Sequence, residues 1–193
     1  MSKVNSTQQL RIIGGQWRGR KFNFPSADGL RPTGDRIRET LFNWLSSDIH
    51  GARCLDLFAG SGALALEALS RGAAHVELWE ANRAACQQLQ NHIKTLQSQL
   101  GEQEAQLSHG DSLIKLAQHN EGAPFDIIFM DPPFAANLWE TAAELLEQNN
   151  WLHPDSLIYI ESPKNQLPKL PENWRNWRCK NTGQVCYQLY IAR

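Results

Sequence analysis

The sequence predicts an α/β fold built on a mostly parallel sheet, and three observations carry that prediction. From residue 52 onward, short apolar runs alternate with longer stretches of helical periodicity, the form that repeated strand-helix units take. A small-residue turn, Asp56-Leu57-Phe58-Ala59-Gly60-Ser61-Gly62, joins the first apolar run to the first helical stretch, at the edge where such sheets hold ligands. Near the C-terminus, two strand-like runs, 174–180 and 184–192, flank the turn residues Asn181, Thr182 and Gly183, which predicts a closing antiparallel hairpin.

In chain order, residues 10–24 read as two short extended runs around Gly14, Gly15 and Gly19, a β-hairpin or ordered arm with Trp17 and Arg18 at its tip. After the turn-like stretch 26–33, residues 34–47 place Ile37, Leu41, Trp44 and Leu45 at helical spacing, with Thr33 or Asp35 as N-cap. Strands are then predicted over 52–57, 75–80, 105–109, 125–130 and 156–161, and helices over 62–71, 81–100, 112–118 and 136–148. There is no internal repeat, low-complexity segment or long linker.

A chain of 193 residues suits one domain with a small appendage, here an arm over 1–33 and a main domain over 34–193. Its 41% hydrophobic content, with seven Trp and seven Phe, supplies a substantial core. No apolar run is long enough to span a bilayer and the first ten residues lack the core of a secretory signal, so a cytoplasmic protein without membrane contact is expected. The four cysteines form no CxxC pair and the six histidines are scattered without ligand spacing, so reduced thiols and no metal site are expected.

The net charge of -1 conceals an asymmetry. Residues 1–38 hold eight basic residues, among them Arg11, Arg18, Arg20, Lys21, Arg31 and Arg36, against Asp28 and Asp35, while the remainder is acidic. Such segregation creates a local positive field that attracts polyanions, although a basic stretch also serves simply as a solvated tail.

The turn at Asp56 to Gly62 lets the backbone bend sharply and aims the N–H groups of the following helix at a crevice, as a nucleotide-like cofactor requires. The same residues also suit a plain tight connection. The pyrophosphate fingerprint is incomplete, because Ala65 stands where its third glycine would fall. Glu80 ends the second strand, where a carboxylate can accept from two ribose hydroxyls or cap the next helix. Asp111, followed by Ser112, fits either an adenine amino group or an N-cap.

Asp131-Pro132-Pro133-Phe134, directly after the fourth strand, is the more specific motif. Two prolines fix the backbone and remove two donors, which leaves the Asp131 carboxylate and the Pro132 carbonyl as rigid acceptors. An exocyclic base amine offers two N–H groups but is a poor nucleophile, because its lone pair is delocalised into the ring. Accepting both hydrogens favours a more tetrahedral nitrogen and directs the lone pair toward a methyl sulfonium. Phe134 adds a face on which a base can stack.

With these residues in place, the chain resembles the class I methyltransferases that modify base amino groups. More narrowly, Arg11-Ile12-Ile13-Gly14-Gly15-Gln16-Trp17-Arg18-Gly19-Arg20, then Arg31-Pro32-Thr33 and Asp35-Arg36-Ile37-Arg38-Glu39, look like the bacterial 16S ribosomal RNA methyltransferases that act on N2 of guanine 966. The match runs from about residue 10 to the C-terminal hairpin. It implies a Rossmann-like fold with a seven-stranded sheet, S-adenosyl-L-methionine as cofactor, and 16S rRNA in the small ribosomal subunit or its assembly intermediate as partner, met by a monomer. The resemblance places the methionine portion at Asp56, Phe58, Ala59, Gly60, Ser61 and Gly62, the ribose at Glu80, and the adenine at Asp111 and Ser112. It also brings Thr33 over the methionine end. RNA contacts are expected at Arg11, Trp17, Arg18, Arg20, Lys21, Arg31 and Arg36.

Guanine-N2 rather than adenine-N6 follows from the resemblance alone, since both amines suit the tetrapeptide. An adenine-N6 methyltransferase acting on DNA or RNA is therefore the first alternative. Fewer than about forty residues stand outside the alternating core to read duplex DNA, and an unpaired RNA base avoids much of the cost of flipping. A non-catalytic RNA-binding factor and a nicotinamide-dependent oxidoreductase complete the alternatives. The intact tetrapeptide opposes the first of these and the incomplete fingerprint opposes the second.

Overall fold

Near-continuous apolar runs need cover on both faces, and the chain supplies it with helices packed on each side of a single sheet. A computed structural model describes residues 7–25 and 34–193. The elements are β1 (Thr7–Arg11), β2 (Lys21–Pro25), α1 (Asp35–Trp44), β3 (Arg53–Asp56), α2 (Ala63–Ser70), β4 (His75–Glu80), α3 (Arg83–Leu96) and β5 (Glu104–His109). They continue with α4 (Ser112–Leu116), β6 (Phe125–Met130), α5 (Trp139–Gln148), β7 (Leu152–Pro163), β8 (Arg175–Thr182) and β9 (Val185–Ile191). Strands β1 and β2 form a separate antiparallel hairpin.

The main sheet has seven strands in the order β5-β4-β3-β6-β7-β9-β8. The first five run parallel, and β9 inserts antiparallel between β7 and β8. This is the sheet and closing hairpin expected from the sequence. After β3 the chain builds outward through β4 and β5, then returns to the other flank of β3 with β6. The carboxyl ends of β3 and β6 therefore flank the switch point, where open α/β sheets bind their ligands.

Most boundaries fall near the sequence prediction, and the departures have local causes. Helix α1 is capped at Gly34 without a side-chain bond, and it buries Ile37, Arg38, Leu41 and Phe42. Trp44 is only half-buried and stacks on Tyr187, with centroids 5.5 Å apart. Thr33 and Arg31, expected to act as site residues, lie outside the described residues. Helix α5 starts at Trp139, three residues later than predicted, because Asn137 takes a left-handed conformation with φ of 49° and ends a short 3-10 turn.

The largest correction concerns the arm. Trp17, placed by the sequence at the tip of the arm and among the RNA contacts, is buried in the same apolar core layer as Leu10, Ile12, Phe22 and Phe24 of the hairpin and Leu64, Leu66 and Leu69 of α2. Gly15 explains the inward turn. At φ of 75° its missing side chain leaves room for the Ser70 carbonyl, since a Cβ there would stand 1.8 Å from that oxygen. The Gln16 N–H donates to the same carbonyl at 2.7 Å, and the Trp17 N–H donates to Ser70 Oγ at 3.0 Å.

Glu67, fully buried in α2, completes the attachment. Its Oε2 accepts from the Ile13 N–H at 2.8 Å and its Oε1 from the Gly14 N–H at 2.8 Å. Arg71 Nε donates to Oε1 at 2.8 Å, and the buried Arg38 reaches Oε2 at 3.4 Å while binding the Arg11 carbonyl at 2.9 Å. Burial pulls the Arg38 pKa below its ordinary value, against the opposing pull of Glu67 and Asp35.

Candidate active site

Side chains alternate across a strand, so the parity of each core residue tells which face its strand-end neighbour takes. Cys54 on β3, Val76 and Leu78 on β4, Ile127 and Phe129 on β6, and Leu157 and Tyr159 on β7 all belong to the core layer under α1, α2 and the arm. Continuing each parity to the carboxyl end gives Asp56, Glu80, Asp131 and Glu161. Across the sheet these run in the order Glu80, Asp56, Asp131, Glu161, a row of four carboxylates spanning roughly 14 Å at the usual strand spacing.

Around β3 the backbone changes partners at the switch point. The Leu57 N–H donates to Phe129 of β6 at 3.1 Å, and two residues later the Ala59 N–H donates to Trp79 of β4 at 3.0 Å. The chain then bends through Gly60 at φ of 53° and Gly62 at φ of 77°, and α2 begins. Ser61 is buried within this loop, and Phe58 is half-buried against the opposite core layer.

Glu80 holds the loop directly. Its Oε2 accepts from the Gly60 N–H at 2.7 Å, and its Oε1 accepts from the Asn82 N–H at 2.6 Å. A carboxylate has about four acceptor positions, so this bracing is compatible with further bonds from hydroxyl donors. Asp56 lies deeper. Burial pushes its carboxyl up to about 7, the nearby Glu80 adds to the rise, and bonds from the Phe58 and Ala65 backbones oppose it. Asp56 therefore shapes the loop from beneath, while Glu80 stands at its rim.

Asp111 accepts from the Leu113 N–H at 2.8 Å and from the Ile114 N–H at 3.4 Å, which makes it the N-cap of α4. Of the two uses open to it in the sequence, capping is the one its bonds display. Ser112 is buried and donates its hydroxyl to the Leu57 carbonyl, tying α4 to the end of β3.

The Asp131-Pro132-Pro133-Phe134 segment leaves β6 at the same edge. Pro132 is buried, Asp131 is half-buried, and Pro133 leads into a short 3-10 turn that carries Phe134. Phe134 is 36% exposed, and its ring lies tilted against Trp139 with centroids 5.8 Å apart. Asp131 and Glu161 both act on the buried Tyr159, whose pKa is held well above its ordinary value by burial first and by these two carboxylates next.

Among the expected RNA contacts, Arg18, Lys21 and Arg36 are exposed. Arg11 pairs with Asp35 at 3.2 Å on the surface. Arg20 donates to Gln99, just beyond α3, at 2.9 Å and to the Thr95 carbonyl within α3 at 3.5 Å, and it lies over the Phe22 ring at 5.4 Å, so it also pins the hairpin to the end of α3. Sequence reasoning missed Glu67 and Glu161. The signal for the first was a lone acid inside the apolar helix ALALEALS, and for the second an acid closing the apolar strand SLIYIE, as Glu80 closes HVELWE.

Comparison with known proteins fits this geometry. A family described as conserved hypothetical protein 95 matches residues 10–191. Ribosomal RNA small subunit methyltransferase D of Escherichia coli strain K12 is 52% identical over 193 residues, covering 98% of this chain and 94% of that protein. The chain belongs to this family. Its Haemophilus influenzae member is 47% identical over 186 residues, covering 96% of this chain and 95% of that protein. A solved Escherichia coli methyltransferase structure superposes with a TM-score of 0.86 at 49% identity, covering 96% of this chain and 98% of that one. The fold is shared more widely. The Thermus thermophilus 16S rRNA N2 G1207 methyltransferase, solved with AdoMet and guanosine, has a TM-score of 0.66 at 22% identity, covering 100% of this chain and 52% of that one.

Proposed function

We propose that this chain transfers a methyl group from S-adenosyl-L-methionine to N2 of a guanine in 16S rRNA, at the position corresponding to guanine 966, within the small ribosomal subunit or its assembly intermediate. The observation that carries this reading is the placement of the Asp131 to Phe134 segment directly after β6, the strand that pairs with β3 and so stands beside its glycine loop. The full-length similarity to ribosomal RNA small subunit methyltransferase D supports the RNA substrate and the cytoplasm as its site of action.

The residues divide the work along the carboxylate row. Glu80 receives the ribose hydroxyls, and the loop Ala59 to Gly62 holds the methionine end from below, with Asp56 fixing the loop. The bound cofactor supplies an activated, sulfur-bound methyl group. The Asp131 carboxylate and the Pro132 carbonyl accept the two amine hydrogens, orienting the nitrogen lone pair, and Phe134 stacks on the base. Catalysis is then positioning with preorganised electrostatics. Lys21, Arg18 and Arg36 meet phosphates around the target.

The test is transfer of labelled methyl from S-adenosyl-L-methionine to purified small-subunit particles lacking the modification, followed by hydrolysis to nucleosides. The expected product is N2-methylguanosine. Label in N6-methyladenosine, or transfer to DNA and not to particles, would contradict the proposal.

A further inference from the structure

The catalytic tetrapeptide accepts an amine and does not distinguish the bases that carry one. A guanine presents N1–H beside its N2 amine and the O6 acceptor beyond, whereas adenine presents an unprotonated N1 beside its N6 amine. Discrimination therefore needs a second acceptor adjacent to Asp131 on the side away from the cofactor. The sheet order supplies that position. The residues proposed for the cofactor lie at the ends of β4 and β3, Asp131 directly follows β6, and the next strand outward is β7.

Strands β6 and β7 pair in register through Phe129↔Tyr159 and Met130↔Ile160, so Glu161 stands beside Asp131 one step further on and on the same face. The Glu161 side chain is buried, at 4% exposure, and the Tyr159 hydroxyl donates to its Oε1 at 2.6 Å. Its own carbonyl accepts from Trp139 Nε1 at 2.7 Å, which anchors the backbone at this point. The carboxylate is thus held in one orientation. On the antiparallel partner strand, Tyr187 pairs with Glu161, and its buried hydroxyl has no hydrogen-bond partner among the described residues. A buried donor without an acceptor is costly unless a ligand supplies one.

We infer that Glu161 is a specificity-determining residue that accepts guanine N1–H beside the amine gripped by Asp131, with the Tyr187 hydroxyl as donor for O6. An adenine in the same place would set its N1 lone pair against the Glu161 carboxylate, so the site rejects it by repulsion as well as by lost bonding. This inference rests on the guanine-N2 reading above and extends it to the rest of the base edge.

The experiment compares small-subunit particles reconstituted with guanine or with 2-aminopurine at the target nucleotide. 2-Aminopurine keeps the amine but lacks N1–H and O6. The expected kcat/KM of the unaltered enzyme is about 100-fold or more higher on guanine, as for sites built to bond a group that the analogue lacks. Glu161→Gln should lower the guanine value by about 10- to 100-fold while leaving 2-aminopurine within about threefold, so that the ratio collapses. Tyr159→Phe, which keeps the carboxylate and removes its orienting donor, should shift the ratio in the same direction by less.

Equal use of both bases by the unaltered enzyme would overturn the inference without any variant having to fold. So would a parallel loss on both bases in either variant. No transfer to guanine particles by the unaltered enzyme would instead overturn the guanine-N2 reading itself.

Discussion

Helix α2 has a single buried carboxylate towards its C-terminal end and a group of three beyond its N-terminal end, and the two do different things. At its C-terminal end Glu67 is fully buried and accepts from two arm N–H groups, Arg71 and Arg38, which fills the roughly four places a carboxylate offers. At its N-terminal end Glu80, Asp56 and Asp131 surround a glycine loop at the open edge of the sheet. Glu67 spends its acceptors on its own chain and fastens the arm. In the second group Asp56 lies buried beneath the loop, Glu80 braces it from the rim, and Asp131 is half-buried at the sheet edge. A buried acid thus signals a ligand site only when its position faces the open edge.

The largest expected effect separates these two roles. Glu67→Ala strips the Ile13 and Gly14 N–H groups of their acceptor and leaves the buried Arg38 paired with Asp35, at 2.7 Å, and loss of one member of a buried pair costs about 3–5 kcal/mol. Urea denaturation should show that loss, together with faster proteolysis of the arm, while the folded fraction still binds cofactor. A loss below about 1 kcal/mol would mean that the network is not what fastens the arm.

Asp131→Ala should act in the opposite way. Turnover on small-subunit particles is expected to fall by about 10²- to 10³-fold, with stability unchanged and calorimetric affinity for S-adenosylhomocysteine within a few fold. A matching loss of cofactor affinity would move Asp131 to the cofactor side of the row.

Asp56 lies between the extremes, and pH exposes it. Its folded pKa of about 7 stands above the ordinary 3.8, so the folded protein holds the extra proton. The stability linked to that proton is present below pH 4 and is lost as the pH rises through 7. Between those limits, cofactor-free Asp56→Asn should gain on the unaltered protein by roughly 2–4 kcal/mol. Identical pH slopes for the two proteins in thermal or urea melts would contradict the raised pKa.

The smallest effect concerns the basic surface. Arg18→Ala should weaken binding to small-subunit particles and reduce the slope of log affinity against log salt by about 0.7–0.9. Arg20→Ala should also lower stability by about 1 kcal/mol, since its contacts to α3 and Phe22 are lost. If the two variants behave alike in both measurements, the arm makes no distinction between docking and RNA contact.

Much of this arrangement was legible in the sequence. Strand-helix alternation revealed the parallel sheet, because each run had to bury itself at its own period. The loop residues and the acids that close apolar strands marked one sheet edge. What was not legible depended on contacts distant in sequence. Gly14, Gly15 and Gly19 read as the turn of a hairpin or arm, and only the carbonyl of Ser70, more than fifty residues on, shows that the turn packs inward and takes Trp17 with it. Glu161 closes its apolar strand as Glu80 does, but only the sheet order, with β7 beside β6, sets it next to Asp131.

The central claim is that the carboxylate row holds a guanine amine of small-subunit RNA against the cofactor. Mass mapping of 16S rRNA from cells lacking this protein, with and without the wild-type or Asp131→Ala chain restored, tests it most directly. One methylguanine should be missing, should return with the wild-type chain and should stay absent with the variant. An unchanged methylation map, or full restoration by the variant, would contradict it.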